Sequence, residues 1–174
     1  MVLKAVKMRI YPNSEQRDRL MQTFGCARFV WNQMLNMQIE RRKNNPDAKF
    51  VNAFGMNNLL KRLKEEYPWL KQAESTSLQS ANRNLADAFQ RFSKGQNKFP
   101  HFKSQKYAQS YNSKCVNHNI KVIDNHHINL PKLGVVYFRS GRLPQGKIKN
   151  VTVRLTVANQ YYITVLTECE NQTL

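Results

Sequence analysis

Lys4-Ala5-Val6-Lys7-Met8-Arg9-Ile10-Tyr11, followed by Pro12 and Asn13, is the stretch on which the fold turns. Val6, Met8 and Ile10 fall on one side of an extended backbone and Lys7, Arg9 and Tyr11 on the other, the period-two pattern of a half-buried strand. Pro12 ends it. A lone strand leaves its backbone polar groups unpaired, and the next segments with β-type texture lie far down the chain. They run from Asn119 to Ile123, His127 to Leu130, Val135 to Phe138, Lys149 to Thr156 and Tyr161 to Thr167. The first strand is therefore expected to pair with these late ones.

What lies between reads as helix. Asn13 is an N-cap candidate with Gln16 three residues on, and Leu20, Phe24, Ala27, Trp31 and Met34 recur at helical spacing, predicting a helix from about Ser14 to Arg42. Asn44-Asn45-Pro46-Asp47 breaks it. A second helix, about Asn52 to Glu66, carries Leu59, Leu60 and Leu63 and closes at Tyr67-Pro68, because the residue before proline disfavours the helical region. A third begins near Ser75, with Leu78, Ala81, Leu85, Phe89 and Phe92 on its apolar side, and ends at Lys94-Gly95-Gln96-Asn97. Beyond Phe99-Pro100-His101-Phe102-Lys103, turns at Asp124-Asn125, Lys132-Leu133-Gly134, Ser140-Gly141 and Ala158-Asn159-Gln160 set the strand spacing of a small barrel. The expected fold class is α+β: a small β-barrel with a three-helix insertion after the first strand. Its parts are residues 1–11, the first barrel strand; 12–98, the insertion; 99–168, the rest of the barrel; and 169–174, a tail.

Charge narrows the partner. The 174 residues hold 28 Lys and Arg against 11 Asp and Glu, a net +17, where solubility needs a magnitude of only about 2–8. From Ala88 to Thr167 there are 13 basic residues and one acid, Asp124. Such an excess repels itself until phosphates neutralise it, so a nucleic acid is the expected partner. A basic, merely solvated surface is the bland alternative. No run of about 18 apolar residues offers a membrane span, and Met1 to Tyr11 lacks an uninterrupted apolar segment and a small-residue cleavage site, so a cytoplasmic, nucleoid-associated protein is expected. Cys26, Cys115 and Cys169 are odd in number and far apart, which suits inert thiols better than a disulfide framework or a zinc ribbon.

Catalytic chemistry finds little support. A two-metal nuclease site needs several convergent carboxylates, and the close sets are only Glu65-Glu66 and Glu168/Glu170. Adjacent residues of a helix point about 100° apart, so no metal and no cofactor are expected, nor any catalytic residue. His101, His118, His126 and His127 have no nucleophile or orienting carboxylate at a recognisable spacing and read as turn or phosphate-contact residues. Phe99, Phe102, Tyr107, Tyr111 and Tyr137, beside basic residues and outside apolar stripes, are the candidates for stacking on bases.

Two polar groupings suit nucleic acid. Arg28 and Asn32, four apart on the first helix, pair a cation with an amide. On the third helix Ser75, Gln79, Asn82 and Arg83 form a stripe at i, i+4, i+7 and i+8 that fits a groove, and Gln or Asn can contact adenine bidentately.

Ordered phrases across nearly the whole chain resemble the TnpB (OrfB) proteins of bacterial insertion sequences, relatives of type V CRISPR effectors. They are Arg9-Ile10-Tyr11-Pro12-Asn13 with Gln16, Gly25-Cys26-Ala27-Arg28-Phe29-Val30-Trp31-Asn32, Leu78-Gln79 with Asn84-Leu85, Phe99-Pro100-His101-Phe102-Lys103, Pro131-Lys132-Leu133-Gly134 and Lys149-Asn150-Val151-Thr152-Val153-Arg154. The resemblance implies that the barrel is a wedge domain and the insertion a recognition domain, which together grip a guide RNA and read a short motif on adjacent duplex DNA. It also implies that the family's RuvC nuclease would begin near Glu168 to Leu174, where this sequence stops. RNA contacts are then expected from Lys4, Lys7, Arg9, Arg28, Asn32, Lys103, Lys132, Lys149 and Arg154. DNA contacts are expected from Ser75, Gln79, Asn82, Arg83, Val116 and Asn117. Gln79 matches the family's motif-reading glutamine, whereas Ser75 stands where a relative has lysine and Val116 where one has threonine, which leaves the DNA motif open. Three rival readings remain: a subunit of a split nuclease whose RuvC domain is a separate chain, an RNA-independent helix-turn-helix repressor, and a decayed transposon remnant. The connection from about Tyr67 to Glu74 is long for the repressor, whose motif allows 3–4 residues.

Overall fold

In the structure, a computed structural model that describes residues 1–170, strand β1 (Val2–Tyr11) buries Val6, Met8 and Ile10 and turns Lys7 outward. Its partners are the late strands. It pairs antiparallel with β7 (Tyr161–Cys169) along most of its length and with β5 (Gly134–Arg139) at its end, Arg9 to Tyr11 facing Arg139 to Tyr137. Strands β2 (Gln109–Lys114), β3 (Lys121–Asp124), β4 (His127–Leu130) and β6 (Lys147–Leu155) complete one antiparallel sheet of order β2-β6-β7-β1-β5-β4-β3. Among the described residues β2 and β3 are its two edges, so the sheet is a half-barrel. Its α+β class, with the helices inserted after the first strand, is the expected one.

Helix α1 runs unbroken from Ser14 to Asn44. Its start is a reciprocal cap: Gln16 N donates to Asn13 Oδ1 at 2.8 Å and Asn13 N to Gln16 Oε1 at 3.0 Å. Gln16 Nε2 then donates to the Val135 carbonyl of β5 at 2.7 Å, so one amide caps the helix and ties it to the sheet. Helix α2 (Ala53–Glu66) starts at the Asn52 cap and stops at Tyr67, as the Tyr67-Pro68 pair predicts. A 3-10 turn, Pro68–Gln72, leads to α3 (Ser75–Ser93), where the Glu74 carboxylate accepts from Thr76 N at 2.7 Å.

Two compact units result, one of residues 1–24 with 106 onward and the other of residues 25–105. The first unit holds the sheet and the opening turns of α1. Its inward residues, among them Met8, Ile10, Ile128, Val136, Phe138, Val153, Ile163 and Val165, are buried. Full burial of a side chain of this size contributes roughly 1.5–3 kcal/mol. Phe24 lies 5.3 Å from the Tyr111 ring.

The second unit has its own core, including Val30, Leu35, Met56, Leu60, Leu70, Leu78, Leu85 and Phe89. A buried amide locks its α1–α2 connection: Gln38 Nε2 donates to the Val51 carbonyl at 2.8 Å while Gln38 Oε1 accepts from Val51 N at 3.0 Å.

β2 is the strand that the sequence pattern does not announce. Its inward positions, Tyr111 and Ser113, supply one apolar side chain only, too few for a period-two signal. Cys169 closes β7 rather than opening a tail, and residues 171–174 of that expected tail lie outside the described residues. All three cysteines are free thiols.

Candidate nucleic-acid interface

The register of the sheet unit decides which cations share a surface. Side chains alternate across a strand, so β1 sends Lys7, Arg9 and Tyr11 to the face opposite Val6, Met8 and Ile10. Lys7 is registered with Thr164 of β7, and Arg9 with Tyr162. Tyr162 is in turn opposite Arg154 of β6, and Arg154 opposite Ser110 of β2; one strand step away, Thr164, Thr152 and Asn112 form a polar row. Asn112 Nδ2 donates to Thr152 Oγ1 at 2.9 Å. On the other side of β1, Arg139 of β5 is opposite Arg9. The outward face thus carries Lys114, Arg154, Lys7, Arg9 and Arg139. The single acid in β1, β2, β5, β6 and β7 is Glu168, near one end of β7. Lys7 Nζ stands 4.5 Å from the centroid of the Tyr162 ring.

Not every expected cation joins this face. Lys4 has the parity of Val6 and leaves β1 on the other side, its carbonyl accepting from Thr167 Oγ1 at 3.4 Å. Lys132 has φ 65° in the β4–β5 turn, where its carbonyl accepts from Arg19 Nη1 at 3.3 Å, and its side chain is exposed. Lys149 sits at a bulge of β6 and reaches Glu168 Oε2 at 3.5 Å, so part of its charge is already answered. Arg154 is exposed.

In the helical unit the expected RNA contact Asn32 makes hydrogen bonds within the protein. Its amide is spent on the protein: Nδ2 donates to the Lys103 carbonyl at 3.0 Å and Oδ1 accepts from Lys103 N at 2.8 Å. Trp31 beside it donates Nε1 to the His101 carbonyl at 2.8 Å, and Lys103 Nζ lies 4.1 Å from the centroid of the Trp31 ring. This α1 pair pins the 99–105 segment, and desolvation among these groups lowers the Lys103 ammonium below the usual lysine pKa. Arg28 is half-buried and already has an interaction within the protein.

The α3 stripe divides by burial. Ser75, Gln79 and Arg83 are exposed, but Asn82 is fully buried and donates Nδ2 to Asn57 Oδ1 of α2 at 2.9 Å, its own Oδ1 unpartnered. It is a core polar group. Val116 and Asn117 belong to the sheet unit, in the β2–β3 turn, both exposed; Asn117 and His118 take φ 53° and 58°, and Val116 N donates to Asn119 Oδ1 at 2.9 Å. Ser75, Gln79 and Arg83 belong to the other unit.

Of the expected stacking rings, Phe102 and Tyr107 are exposed, Phe99 packs on Phe89 and Phe92, and Tyr111 is buried against Phe24. Tyr137 lies on the outward face with Tyr11. Tyr11, Tyr162, Arg139 and Lys114 are face residues that sequence reasoning missed. The signal was present as strand alternation, but alternation does not say which outward positions become neighbours.

Among the histidines, an orienting carboxylate does exist. Asp124 Oδ1 lies 2.9 Å from His127 Nδ1 and accepts from His126 N at 2.8 Å, and these bonds hold the Asp124 carboxyl below its ordinary pKa. Glu65 and Glu66 are exposed on α2. Among the described residues no three His, Cys, Asp or Glu side chains gather as a metal site, and no helix is long and apolar enough to cross a membrane.

Comparison with known proteins identifies relatives of the chain. A family described as a helix-turn-helix domain of OrfB and IS605 proteins matches residues 1–46, which here are β1 and the whole of α1 rather than two helices around a turn. An Escherichia coli (strain K12) protein, InsQ, named as a candidate RNA-guided DNA endonuclease, is 30% identical over 174 aligned residues, 98% of this chain and 42% of its own length. A Streptomyces pristinaespiralis protein of the same designation is 33% identical over 114 residues, 63% of this chain and 27% of its own. The virulence protein VsdF of Salmonella dublin is 32% identical over 95 residues, 51% of this chain and 80% of its own. The chain thus spans less than half the length of either endonuclease relative. With its phrases and these likenesses, the chain belongs to the TnpB (OrfB) family of insertion-sequence proteins.

Proposed function

We propose that this chain binds a structured guide RNA through its sheet unit and engages target-adjacent duplex DNA through α3, serving as the nucleic-acid-gripping part of a TnpB-type RNA-guided DNA endonuclease. The sheet unit would act as the wedge and the helical unit as the recognition domain. The observation that carries the reading is the outward sheet face, where Lys114, Arg154, Lys7, Arg9 and Arg139 share one surface and the strands that form it hold a single acid. A cationic face of that kind, interleaved with Tyr11, Tyr137 and Tyr162, answers phosphates with charge and bases with rings. The relatives' designation as RNA-guided DNA endonucleases supports the choice of partners. Gln79 and Arg83, exposed four residues apart on α3, would be the side chains that reach a groove. In this reading the described residues grip and position; no bond-breaking step is assigned to them.

Filter binding with the RNA that co-purifies with the chain and with duplex DNA, from low salt up to about 0.15 M, tests it. RNA affinity should fall linearly on a log-log plot, by roughly 0.7–0.9 of a unit per phosphate contact. Absence of RNA binding across the whole range would sink the proposal.

A further inference from the structure

We infer that Tyr11, Tyr137, Arg9 and Arg139, where β1 meets β5, form a stacking site for unpaired RNA bases and their phosphates. This rests on the sheet unit's binding RNA and names which part of an RNA it takes.

The pairing here is unfavourable unless something else arrives. Arg9 and Arg139 are directly opposite across antiparallel strands, and like charges in that position destabilise a sheet. Among the described residues neither guanidinium meets a carboxylate. Both lean on aromatic rings instead: Arg9 stands 5.0 Å and Arg139 5.5 Å from the Tyr11 centroid, and Arg139 lies 5.9 Å from that of Tyr137. Arg139 Nε donates to the Tyr137 hydroxyl at 3.3 Å. Arg9 Nε is buried and has no hydrogen-bond partner.

The rings form a connected set. Tyr11 and Tyr137 are registered opposite one another and meet edge to face, with centroids 5.9 Å apart and planes at 62°. His126 stacks on Tyr137 at 5.5 Å and 13°, and His127 meets its edge at 5.6 Å. His126 and His127 are themselves bonded to Asp124, the acid nearest in sequence to Arg139, while Glu15, the acid nearest to Arg9, is paired with Arg19. Tyr11 remains 39% exposed and Arg139 is exposed.

Charge and ring faces together select the occupant. Two unanswered guanidiniums call for phosphates, which any nucleic acid supplies. Rings beside them gain from a flat base, which a duplex keeps inside its own stack and an unpaired segment offers freely. A single-stranded stretch or a flipped-out base of the RNA satisfies both demands at once.

Fluorescence anisotropy on the full chain tests this with a short labelled oligouridylate, an abasic oligomer carrying the same phosphates, a blunt RNA duplex and an oligodeoxyuridylate. The oligouridylate should bind about tenfold more tightly than the abasic oligomer, the size of one stacked base. Tyr11→Leu with Tyr137→Leu should erase that preference, and Tyr11→Phe with Tyr137→Phe should keep it. Arg9→Gln with Arg139→Gln should leave the preference for bases in place but flatten the salt dependence by about 0.7 unit per lost phosphate contact. Equal affinity for the abasic oligomer in the unmutated protein overturns the inference without any variant having to fold. So does a leucine pair that melts like the parent and binds oligouridylate equally well, or tighter binding of the DNA oligomer or the duplex. RNA binding that survives intact in those cases leaves the sheet unit's role standing and removes only this site; loss of all RNA binding by the unmutated chain removes both.

Discussion

Gln79 and Asn82 lie three residues apart on α3 and have opposite environments, one exposed and the other fully buried. A helix advances about 100° per residue, which puts Asn82 within about 40° of Leu78 and about 20° of Phe89, both in the helical core. The stripe Ser75, Gln79, Asn82, Arg83 was therefore legible as polar but not as exposed, because its Asn82 edge borders the apolar face. The two residues should separate in experiment. Gln79→Ala should leave urea stability within about 0.5 kcal/mol and relax the preference at one base of the DNA site by about 1–3 kcal/mol. Asn82→Ala should lower stability by about 1 kcal/mol, the lower end for a buried hydrogen bond, since it orphans Asn57 but removes an oxygen that was already unpartnered. Base preference unchanged in the first variant, or altered in the second with stability intact, would exchange their roles. Asn32 teaches the same lesson: an amide four residues from Arg28 reads as a ligand-facing pair, and the fold uses it to pin Lys103.

At the level of elements, the first turn of α1 does two jobs with one side chain. The Asn13–Gln16 spacing announces the reciprocal cap, but nothing local announces that Gln16 Nε2 will donate to Val135 of β5 at 2.7 Å. Gln16→Ala should cost about 1–2 kcal/mol, from the lost cap partner and the lost tie together. Gln16→Glu separates them. It keeps an acceptor for Asn13 N and replaces the donor with a carboxylate oxygen facing a carbonyl, so denaturant titration should show it at least as damaging as alanine. Wild-type stability in the glutamate variant would mean that the tie to β5 contributes nothing. Strand β2 is the element the pattern hid. Its inward Ser113 is buried without being apolar, so it is held by pairing with β6 rather than by its own hydrophobicity.

For the whole molecule, the charge that marks the sequence is sorted by the sheet into cations that share a face and cations that do not. Lys7 and Arg154 both stand on the outward face and meet no carboxylate among the described residues, flanking Tyr162 and Thr164. Lys149 is already engaged by Glu168. Lys7→Gln with Arg154→Gln should flatten the salt dependence of RNA binding by up to about two units of log-log slope, near one per phosphate contact. Lys149→Gln should change it by less, because Glu168 already answers part of that charge. A larger slope change from Lys149→Gln than from the pair would move the RNA off this face.

The sequence alone determined that a basic chain of this length has a strand first, three helices next and strands after, because strand alternation, helical spacing, caps and proline breaks are local consequences of backbone geometry. It also carried the family phrases. Only the tertiary structure decided that β1 lies between β7 and β5, that Arg9 faces Arg139, that Lys4 parts from Lys7, and that Asn82 and Asn32 serve the protein's own backbone and core. Those outcomes depend on register and on which distant segments pair, and a shift of one residue reverses every side chain's face. No window of local sequence contains that choice.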